Sequence, residues 1–404
     1  MKSKLLTISI YLSGMLSFFL VDFVIARYET TEAIANWASI KSIVMIGGTL
    51  VLFGIDQVMV RLPQQALSIL KRSYLQVIVA VVIYYYSIYK LGLLTESFWL
   101  MFAVLALGVS ILLFGFYRSQ FLLLPAQVIT NGWKPLFLII LITLILFDIT
   151  RVYSLLFITS ISLSVSGAFL LSKKKKVIPN NIADHKHESI KEQYGLGLRF
   201  FISLMSLNLS LYLEQILLNM DGHQIESSIY FSHFAIILPL MMVFNGYIGF
   251  ILGPYIRKNR IQFDYLLKSY WWVLPVTSLL LGVISFLLSM YAYSYLLSGK
   301  GEFIYSLAAI VTSIGVLRLI YILPSSYLGV VASKHILNKF ILMNVFGIIV
   351  LVGGFYLFYQ ITDNALFSVA YASLLNWLLR SVYGNYLVWI IWKSKKVKAQ
   401  DYAL

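Results

Sequence analysis

The stretch YGLGLRFFISLMSLNLSLYLEQILLNM, residues 194–220, is a long apolar segment that carries a cation near one end and an anion near the other. A helix needs roughly 20 apolar residues to cross a bilayer, and this segment is long enough. Its polar side chains follow one another at spacings of four, three, four and four residues: Arg199, Ser203, Ser206, Ser210 and Glu214. At about 100° per residue these side chains share one side of a helix. The stretch therefore predicts a membrane-spanning helix with one polar face.

The rest of the chain has the same apolar character. Of its 404 residues 60% are hydrophobic and 12% charged, and the mean hydropathy is +0.86. A soluble domain would be about 25% charged. The apolar runs are also too long and too continuous for the alternating strands of a membrane barrel. We therefore predict an all-α polytopic membrane protein. The chain has no cysteine, which excludes disulfides and cysteine-ligated metals.

Hydropathy predicts twelve membrane spans. We place them near 5–26, 37–60, 74–93, 97–120, 134–150, 153–172, 196–219, 228–253, 269–297, 303–324, 338–359 and 365–392. The first run follows Lys2 and Lys4, as the apolar core of a signal peptide does. It is longer than the usual core of about 7–15 residues, so we expect it to be retained as a span.

The basic residues predict the orientation of the chain. With both termini in the cytoplasm, most of the 31 lysines and arginines fall on cytoplasmic segments, Lys134 among them. The opposite loops hold only Arg27, Lys90, Arg151 and Lys300. This bias follows the positive-inside rule for an even number of spans. It accounts for the net charge of +15 without nucleic-acid binding.

The polar segment SKKKKVIPNNIADHKHESIKEQYG, residues 172–195, divides the chain into two halves. We predict an N-lobe at 1–172, a basic cytoplasmic linker at 173–195, a C-lobe at 196–392 and a basic cytoplasmic tail at 393–404. His185 and His187 in the linker have no fixed ligand spacing, which favours a solvated segment over a metal site.

The two halves show a weak internal repeat. VDFVIARYETTEAIANWAS (21–39) and LEQILLNMDGHQIESSIYFS (213–232) each place an acid before an apolar tail, a short acidic loop and an aromatic residue. They occupy equivalent positions in spans one to two and seven to eight. Parallel six-span repeats with the substrate between them are a known transporter design.

Other predicted spans also have polar faces. The last span has Ser373, Asn376, Arg380 and Tyr383, the tenth has Arg318, Tyr321 and Ser325, and the second has Ser42, Thr49 and Asp56 with Lys41 beside them. Polar faces in a membrane bundle are tolerated where they meet around water. We therefore predict two six-helix lobes around a central hydrated cavity.

The predicted cavity has more cations than acids. The candidate substrate-binding cations are Arg318, Arg380, Arg199, Lys41 and Arg118. The acids Glu214, Asp56 and Asp22 are candidates for coupling H⁺ or Na⁺, and the polar candidates are Ser203, Ser206, Ser210, Asn376 and Tyr383. A guanidinium binds phosphate bidentately, so this excess favours an anionic substrate group.

Simpler interpretations of several of these charges stay open. Arg199 and Arg118 can snorkel to the cytoplasmic interface, and Glu214 can cap a helix or pair locally. Asp56 can pair with Arg61. Each candidate coupling acid can equally belong to a structural ion pair.

No enzyme motif occurs in the sequence. Walker A, GxSxG and HExxH patterns are absent, so we predict a protein that is not an enzyme and has no cofactor.

Two regions of the sequence resemble a known family. FGIDQVMVRL (53–62) resembles the glycine–acid–arginine ending of the second helix in Wzx-type polysaccharide flippases. EQYGLGLRFFISLMSLNLSLYLEQILLNM (192–220) and SSIYFSHFAIILPLMMVF (227–244) resemble the seventh and eighth helices of that family. The chain departs from the pattern in two places. Many members have a proline soon after Tyr-Gly, where this chain has Gly197-Leu198-Arg199. Many also have Asp-Arg in place of Glu214-Gln215.

The resemblance implies membership of the multidrug/oligosaccharidyl-lipid/polysaccharide exporter superfamily. It implies a flippase for undecaprenyl-diphosphate-linked oligosaccharide, an O-antigen or capsule repeat unit, in lipopolysaccharide or polysaccharide biosynthesis. Transport would run from the cytoplasmic to the periplasmic leaflet of a bacterial inner membrane by alternating access. Polymerase and chain-length proteins of the pathway are the implied partners.

Two alternatives remain. One is a drug or metabolite antiporter of the same superfamily, for which the excess of cations is unfavourable. The other is an integral-membrane polysaccharide polymerase, for which the predicted periplasmic loops are too short to hold a reaction site.

Overall fold

The protein is built from helices. The computed structural model describes residues 2–92, 98–120, 122–149, 152–172, 189–258, 260–296 and 302–401, and within these ranges there is no β-strand. The same ranges contain twelve helical segments that are long and apolar enough to cross a membrane. The predicted all-α polytopic fold with twelve spans is therefore confirmed, and the chain is a multi-pass membrane protein. His185, His187 and most of the predicted linker lie outside the described residues.

The helices run in chain order as follows: α1 Lys2–Tyr28, α2 Thr31–Leu50, α3 Ile55–Arg61, α4 Ala66–Lys90, α5 Trp99–Ser119, α6 Leu123–Gln127, α7 Trp133–Leu146, α8 Tyr153–Ser172, α9 Ile190–Met220, α10 Gln224–Lys258, α11 Arg260–Leu296, α12 Tyr305–Val331, α13 Lys334–Thr362 and α14 Ala365–Asp401. A short 3₁₀ turn, Pro63–Gln65, precedes α4, and a π turn, Val128–Gly132, joins α6 to α7.

The chain folds into two compact units, unit 1 at Met1–Ser228 and unit 2 at Ile229–Leu404. Helix α9 packs against α2 and α3 within unit 1. It begins with a capping box, in which Ser189 Oγ accepts from Glu192 N and Glu192 Oε2 accepts from Ser189 N. The division into an N-lobe at 1–172 and a C-lobe at 196–392 stays a prediction.

The second span is shorter than predicted. Helix α2 ends at Leu50, and Phe53 and Gly54 follow with φ of 48° and 71°. A Cβ on Gly54 would lie 2.3 Å from Gly197 O, so this left-handed turn and the approach of α9 both require glycine. Asp56 therefore lies in the first turn of a new short helix. It does not continue the polar face of Ser42 and Thr49, and that part of the prediction is wrong.

The fifth span starts earlier than predicted. It runs over Leu123–Leu146 through the π turn, so Lys134 lies inside the span and is only 8% exposed. The prediction of a cytoplasmic Lys134 is wrong. The polar residues before it are buried and paired, since Asn131 Nδ2 donates to Gln127 Oε1 at 2.7 Å. Single π turns inside helices are frequent at functional sites.

Candidate functional site

Two buried arginines surround one tryptophan in unit 2. Arg318 on α12 and Arg380 on α14 are each 1% exposed. Their Cζ atoms lie 4.9 Å and 5.5 Å from the ring centroid of Trp377. Phe234 covers Arg318 at 5.2 Å. Aromatic faces attract guanidinium groups, and the attraction is larger where water is excluded. We call Arg318, Asn344, Asn376, Trp377 and Arg380 the arginine cluster.

Amide and carbonyl oxygens orient the guanidinium of Arg380. Its Nε donates to Asn376 Oδ1 at 2.9 Å, and its Nη2 donates to Asn344 O at 2.6 Å. The hydroxyl of Tyr321 donates to Asn344 Oδ1 at 2.8 Å. These bonds connect α12, α13 and α14. Arg380 is therefore fixed in place by neutral acceptors.

The arginine cluster also contains neutral donors without an acceptor. Asn376 Nδ2 and Trp377 Nε1 are buried and have no hydrogen-bond partner among the described residues. A buried donor left unsatisfied costs about 1–3 kcal/mol. The two donors belong to the same cluster as the two guanidinium groups.

The helices of the arginine cluster supply no acid from within the membrane. The spans Tyr305–Gly329, His335–Thr362 and Ala365–Ser394 contain no aspartate or glutamate. Burying a cation is costly unless a charge or hydrogen bonds compensate it. The three spans that carry the arginine cluster therefore supply no carboxylate of their own.

Helix α13 approaches this cluster closely at one glycine. A Cβ on Gly347 would lie 2.5 Å from Asn376 Oδ1 and 2.8 Å from Arg380 Nε. Any larger residue would have to displace one of these side chains. Glycine at position 347 therefore leaves the space that the Asn376 amide and the Arg380 guanidinium occupy.

Unit 1 contains a second buried group of charges, formed by Asp22, Trp37, Lys41, Asn131 and Lys134, which we call the lysine–aspartate cluster. Lys41 Nζ donates to Asp22 Oδ2, and Trp37 Nε1 donates to Asp22 Oδ1 at 3.0 Å. Lys134 Nζ donates to Asn131 Oδ1 at 2.7 Å. Two ammonium groups thus stand near one carboxylate.

One aromatic ring contacts both lysines of the lysine–aspartate cluster. Lys41 Nζ lies 4.5 Å and Lys134 Nζ 5.6 Å from the centroid of Phe18. The predicted candidates Lys41 and Asp22 are therefore in contact, and Lys134 lies in the same cluster.

The polar face of α9 is buried at one end and exposed at the other. Glu214 is 1% exposed, Ser206 and Ser210 are buried, Ser203 is partly buried, and Arg199 is exposed. Ser206 Oγ donates to Ile202 O at 2.7 Å, and Ser210 Oγ to Ser206 O at 3.0 Å. Serine hydroxyls in helices often bond to the preceding turn in this way. Both hydroxyls therefore donate hydrogen bonds to backbone carbonyl oxygens of α9.

Three further predicted site residues lie apart from the clusters of their own units. Arg118 is exposed in the last turn of α5, with its Cζ 5.9 Å from the ring of Phe114. Tyr383 is partly buried and packs against Tyr386 on its own helix. Asp56 is 3% exposed and accepts from Gln57 Nε2 at 2.7 Å. Burial raises the pKa of the Asp56 carboxyl, which lies between the second and third spans.

Several cluster residues were missed in the sequence. Gln127, Asn131 and Lys134 follow at spacings of four and three, so extending the fifth span towards the N-terminus reveals their shared face. Trp377 stands three residues before Arg380 on the same helix, which is the spacing of side-chain neighbours. Asn344 lies on another helix and has no such signal.

The described residues contain no group of three histidine, cysteine, aspartate or glutamate side chains that could hold a metal ion.

Comparisons with known proteins identify the fold. No protein-family model matches the sequence, and a comparison with curated protein sequences gives no significant match. Solved structures do match. The eukaryotic MATE transporter AtDTX14 aligns with a TM-score of 0.61 at 16% identity, over 100% of this chain and 97% of that one. The chain has the fold of a MATE transporter.

A second structure gives the same result. An inward-facing multidrug resistance MATE family transporter of the MOP superfamily aligns with a TM-score of 0.62 at 12% identity, over 96% of this chain and 99% of that one. At such identities the likeness concerns the fold alone.

Proposed function

We propose that the protein is an exporter of undecaprenyl-diphosphate-linked oligosaccharide. It moves an O-antigen or capsule repeat unit from the cytoplasmic to the periplasmic leaflet of a bacterial inner membrane, with both termini in the cytoplasm. The MATE-type fold supports a transporter that works by alternating access. The observation that carries the choice of substrate is the arginine cluster, where two buried guanidinium groups stand beside two neutral donors without acceptors.

A diphosphate matches this set of donors. Guanidinium groups form charge-assisted and bidentate hydrogen bonds with phosphate oxygens. Each hydrogen bond to a charged group contributes about 1.5–3 kcal/mol. Asn376 Nδ2 and Trp377 Nε1 can donate to further oxygens of the same ligand. Because the site is shielded from water, these interactions are stronger than at an exposed surface.

A drug or metabolite antiporter is the second candidate. One structural neighbour is a multidrug resistance transporter, which favours it. A site selecting cationic drugs would be expected to present acids, and the spans that carry the arginine cluster contain none. Anionic drugs or metabolites stay compatible with the cluster. The polymerase alternative has less support. The predicted periplasmic loops of this chain are short, and the chain has the fold of solved transporters.

A pair of substitutions tests the substrate-binding role. The double variant Arg318→Ala/Arg380→Ala should abolish display of the surface glycan when the protein is expressed at the normal level. Lysine at both positions should restore display in part, because it keeps the charge and loses the bidentate geometry. Lys90→Ala, at an exposed cation of unit 1, is the control. Normal display from the double alanine variant would reject the role.

A deletion strain separates the candidate functions. Lipid-linked repeat units accumulating on the cytoplasmic leaflet would support the flippase. Single units accumulating on the periplasmic side would indicate a polymerase. Altered drug resistance with normal glycan display would indicate an antiporter. Co-purification of polymerase or chain-length proteins with this protein would test the expected partnership.

A further inference from the structure

An apolar groove runs along α4 in unit 1 and takes no part in either charge cluster. It has a volume of about 670 Å³ and is lined mainly by aliphatic and aromatic side chains. Leu75, Val79 and Ile83 are 70%, 51% and 62% exposed along it. The lining residues of α4 recur at intervals of one, three or four, which is the spacing of one face of a helix.

The floor of the groove is held in place by specific contacts. Tyr84 lies across it and donates its hydroxyl to Ile43 O at 2.8 Å. A Cβ on Gly47 would lie 2.3 Å from a ring atom of Tyr84, so glycine allows the ring to lie against α2. The groove is thus a defined feature of the packing of α2 and α4.

The length of the groove exceeds one leaflet. Its lining extends from Arg72 to Leu91, and at 1.5 Å per residue this is about 28 Å along the helix. The hydrocarbon core of a bilayer is about 30 Å thick, so an ordinary acyl chain reaches only to the middle. The groove therefore matches a chain longer than that of a common phospholipid.

One end of the groove is polar and cationic. Arg72 donates through Nη2 to Gln193 Oε1 at 2.9 Å and through Nε to Ser68 O at 3.3 Å. Beside it, Tyr194 OH donates to Gln76 Oε1 at 3.0 Å. The distribution of basic residues predicts that this end faces the cytoplasm. A phosphate at the cytoplasmic interface would meet the exposed guanidinium of Arg72.

We propose that this groove is the loading site for the isoprenoid chain of the substrate, with its diphosphate beside Arg72. The inference rests on the proposed function and deepens it. The chain lies along α4 between Leu75 and Leu91, while the head group waits at the cytoplasmic end. The aliphatic wall and the single terminal cation correspond to the tail and head of such a lipid.

Bulky side chains placed in the groove should weaken the binding of a long-tailed lipid more than the binding of a short-tailed one. Purified protein is titrated with undecaprenyl diphosphate and with dimethylallyl diphosphate, which has the same head group and a tail of only one isoprene unit. The variant Val79→Trp/Ile83→Trp should lower affinity for the long lipid about tenfold or more, since two lost methylene contacts suffice for that factor. Affinity for the short lipid should stay within about twofold, because little of its tail reaches Val79 and Ile83.

Matched controls come from the same helix. Ile78→Trp/Val82→Trp alters side chains that are 50% and 53% exposed and do not line the groove, and it should leave both affinities unchanged. Arg72→Gln should weaken both lipids alike, and Arg72→Lys should restore part of the loss. These last two variants report on the head group independently of the tail.

The outcomes separate this inference from the proposed function. Unchanged affinity for the long lipid in the groove-filled variant would overturn the loading site, as would equal effects of the filled and control variants. Effective competition by phosphatidylglycerol would also overturn it, because the groove would then be a general lipid contact. If the unmodified protein bound neither diphosphate, the proposed function itself would fail, and this inference with it.

Discussion

Each unit buries a pair of cations in its membrane-spanning helices, and the two pairs have different partners. In unit 1, Lys41 is paired with the carboxylate of Asp22. In unit 2, Arg380 is held by an amide and a carbonyl oxygen, and no acid lies on the spans that carry the cluster. The lysine–aspartate cluster thus contains an ion pair, whereas Arg380 in the arginine cluster donates hydrogen bonds to two neutral oxygens.

This difference suggests different roles for the two clusters. An internal ion pair is a structural element, since removing one member leaves the other charge buried. The guanidinium of Arg380, by contrast, is oriented by the neutral oxygens Asn376 Oδ1 and Asn344 O. Substitutions should therefore change stability in the lysine–aspartate cluster and ligand binding in the arginine cluster.

The largest effect on stability is expected from Lys41→Met. This variant leaves the Asp22 carboxylate buried without its ammonium partner, so the free energy of unfolding should fall by about 3–5 kcal/mol. The double variant Lys41→Met/Asp22→Asn should recover most of the loss, because it also removes the carboxylate that the single variant leaves without its ammonium partner. Unfolding of the purified protein in detergent measures both. A loss below about 1 kcal/mol, the size measured for surface pairs, would show that the pair is not structural.

Arg380→Lys should act mainly on binding. Lysine keeps the charge but cannot bridge Asn376 and Asn344 with the fixed geometry of a guanidinium. We expect affinity for a diphosphate probe to fall about tenfold or more, with a smaller loss of stability of about 1–3 kcal/mol. Lys41→Arg in unit 1 is the parallel control and should leave the affinity unchanged. Equal binding by Arg380→Lys and the unmodified protein would contradict the proposed role.

Gly347→Ala tests the geometry of the arginine cluster without altering any charge. The new methyl would press on Asn376 Oδ1 and Arg380 Nε, so stability should fall by about 1–3 kcal/mol. Gly353→Ala, on the same helix with open space around it, should be neutral or stabilising by up to about 1 kcal/mol. If the two variants had equal stability, α13 would not constrain the cluster.

Much of the fold follows from hydropathy. The runs of apolar residues predicted all twelve spans. A chain that crosses hydrocarbon must satisfy its backbone hydrogen bonds internally, so each long apolar run forms a helix. The predicted span boundaries were wrong where polar residues are buried or where a turn interrupts an apolar run. Gln127 and Asn131 interrupt the fifth apolar run and hide its start, although their side chains bond to each other inside the protein. Phe53 and Gly54 form a left-handed turn between α2 and α3, which hydropathy does not detect.

The charged clusters were predicted only in part. Asp22, Lys41, Arg318 and Arg380 are apparent as charges within apolar runs. Their partners come from other helices, and one sequence gives no evidence of which helices touch. The contact of Asn344 with Arg380 joins residues 36 positions apart, and the contact of Trp37 with Asp22 depends on the turn between α1 and α2.

The smallest effect on stability is expected from Asp56→Asn. Asp56 is a buried acid that accepts a hydrogen bond from the amide of Gln57, whereas Asp22 is paired with a lysine. Burial raises the pKa of Asp56, against hydrogen bonds to Gln57 and the charge of Arg118, which lower it. The folded protein therefore holds this proton more tightly than the unfolded chain does. Stability should fall as pH rises from the ordinary carboxyl range through the raised pKa. Asp56→Asn removes that loss, so its stability relative to the unmodified protein should increase with pH in unfolding measurements. The opposite trend would mean that the folded protein stabilises Asp56 as an anion.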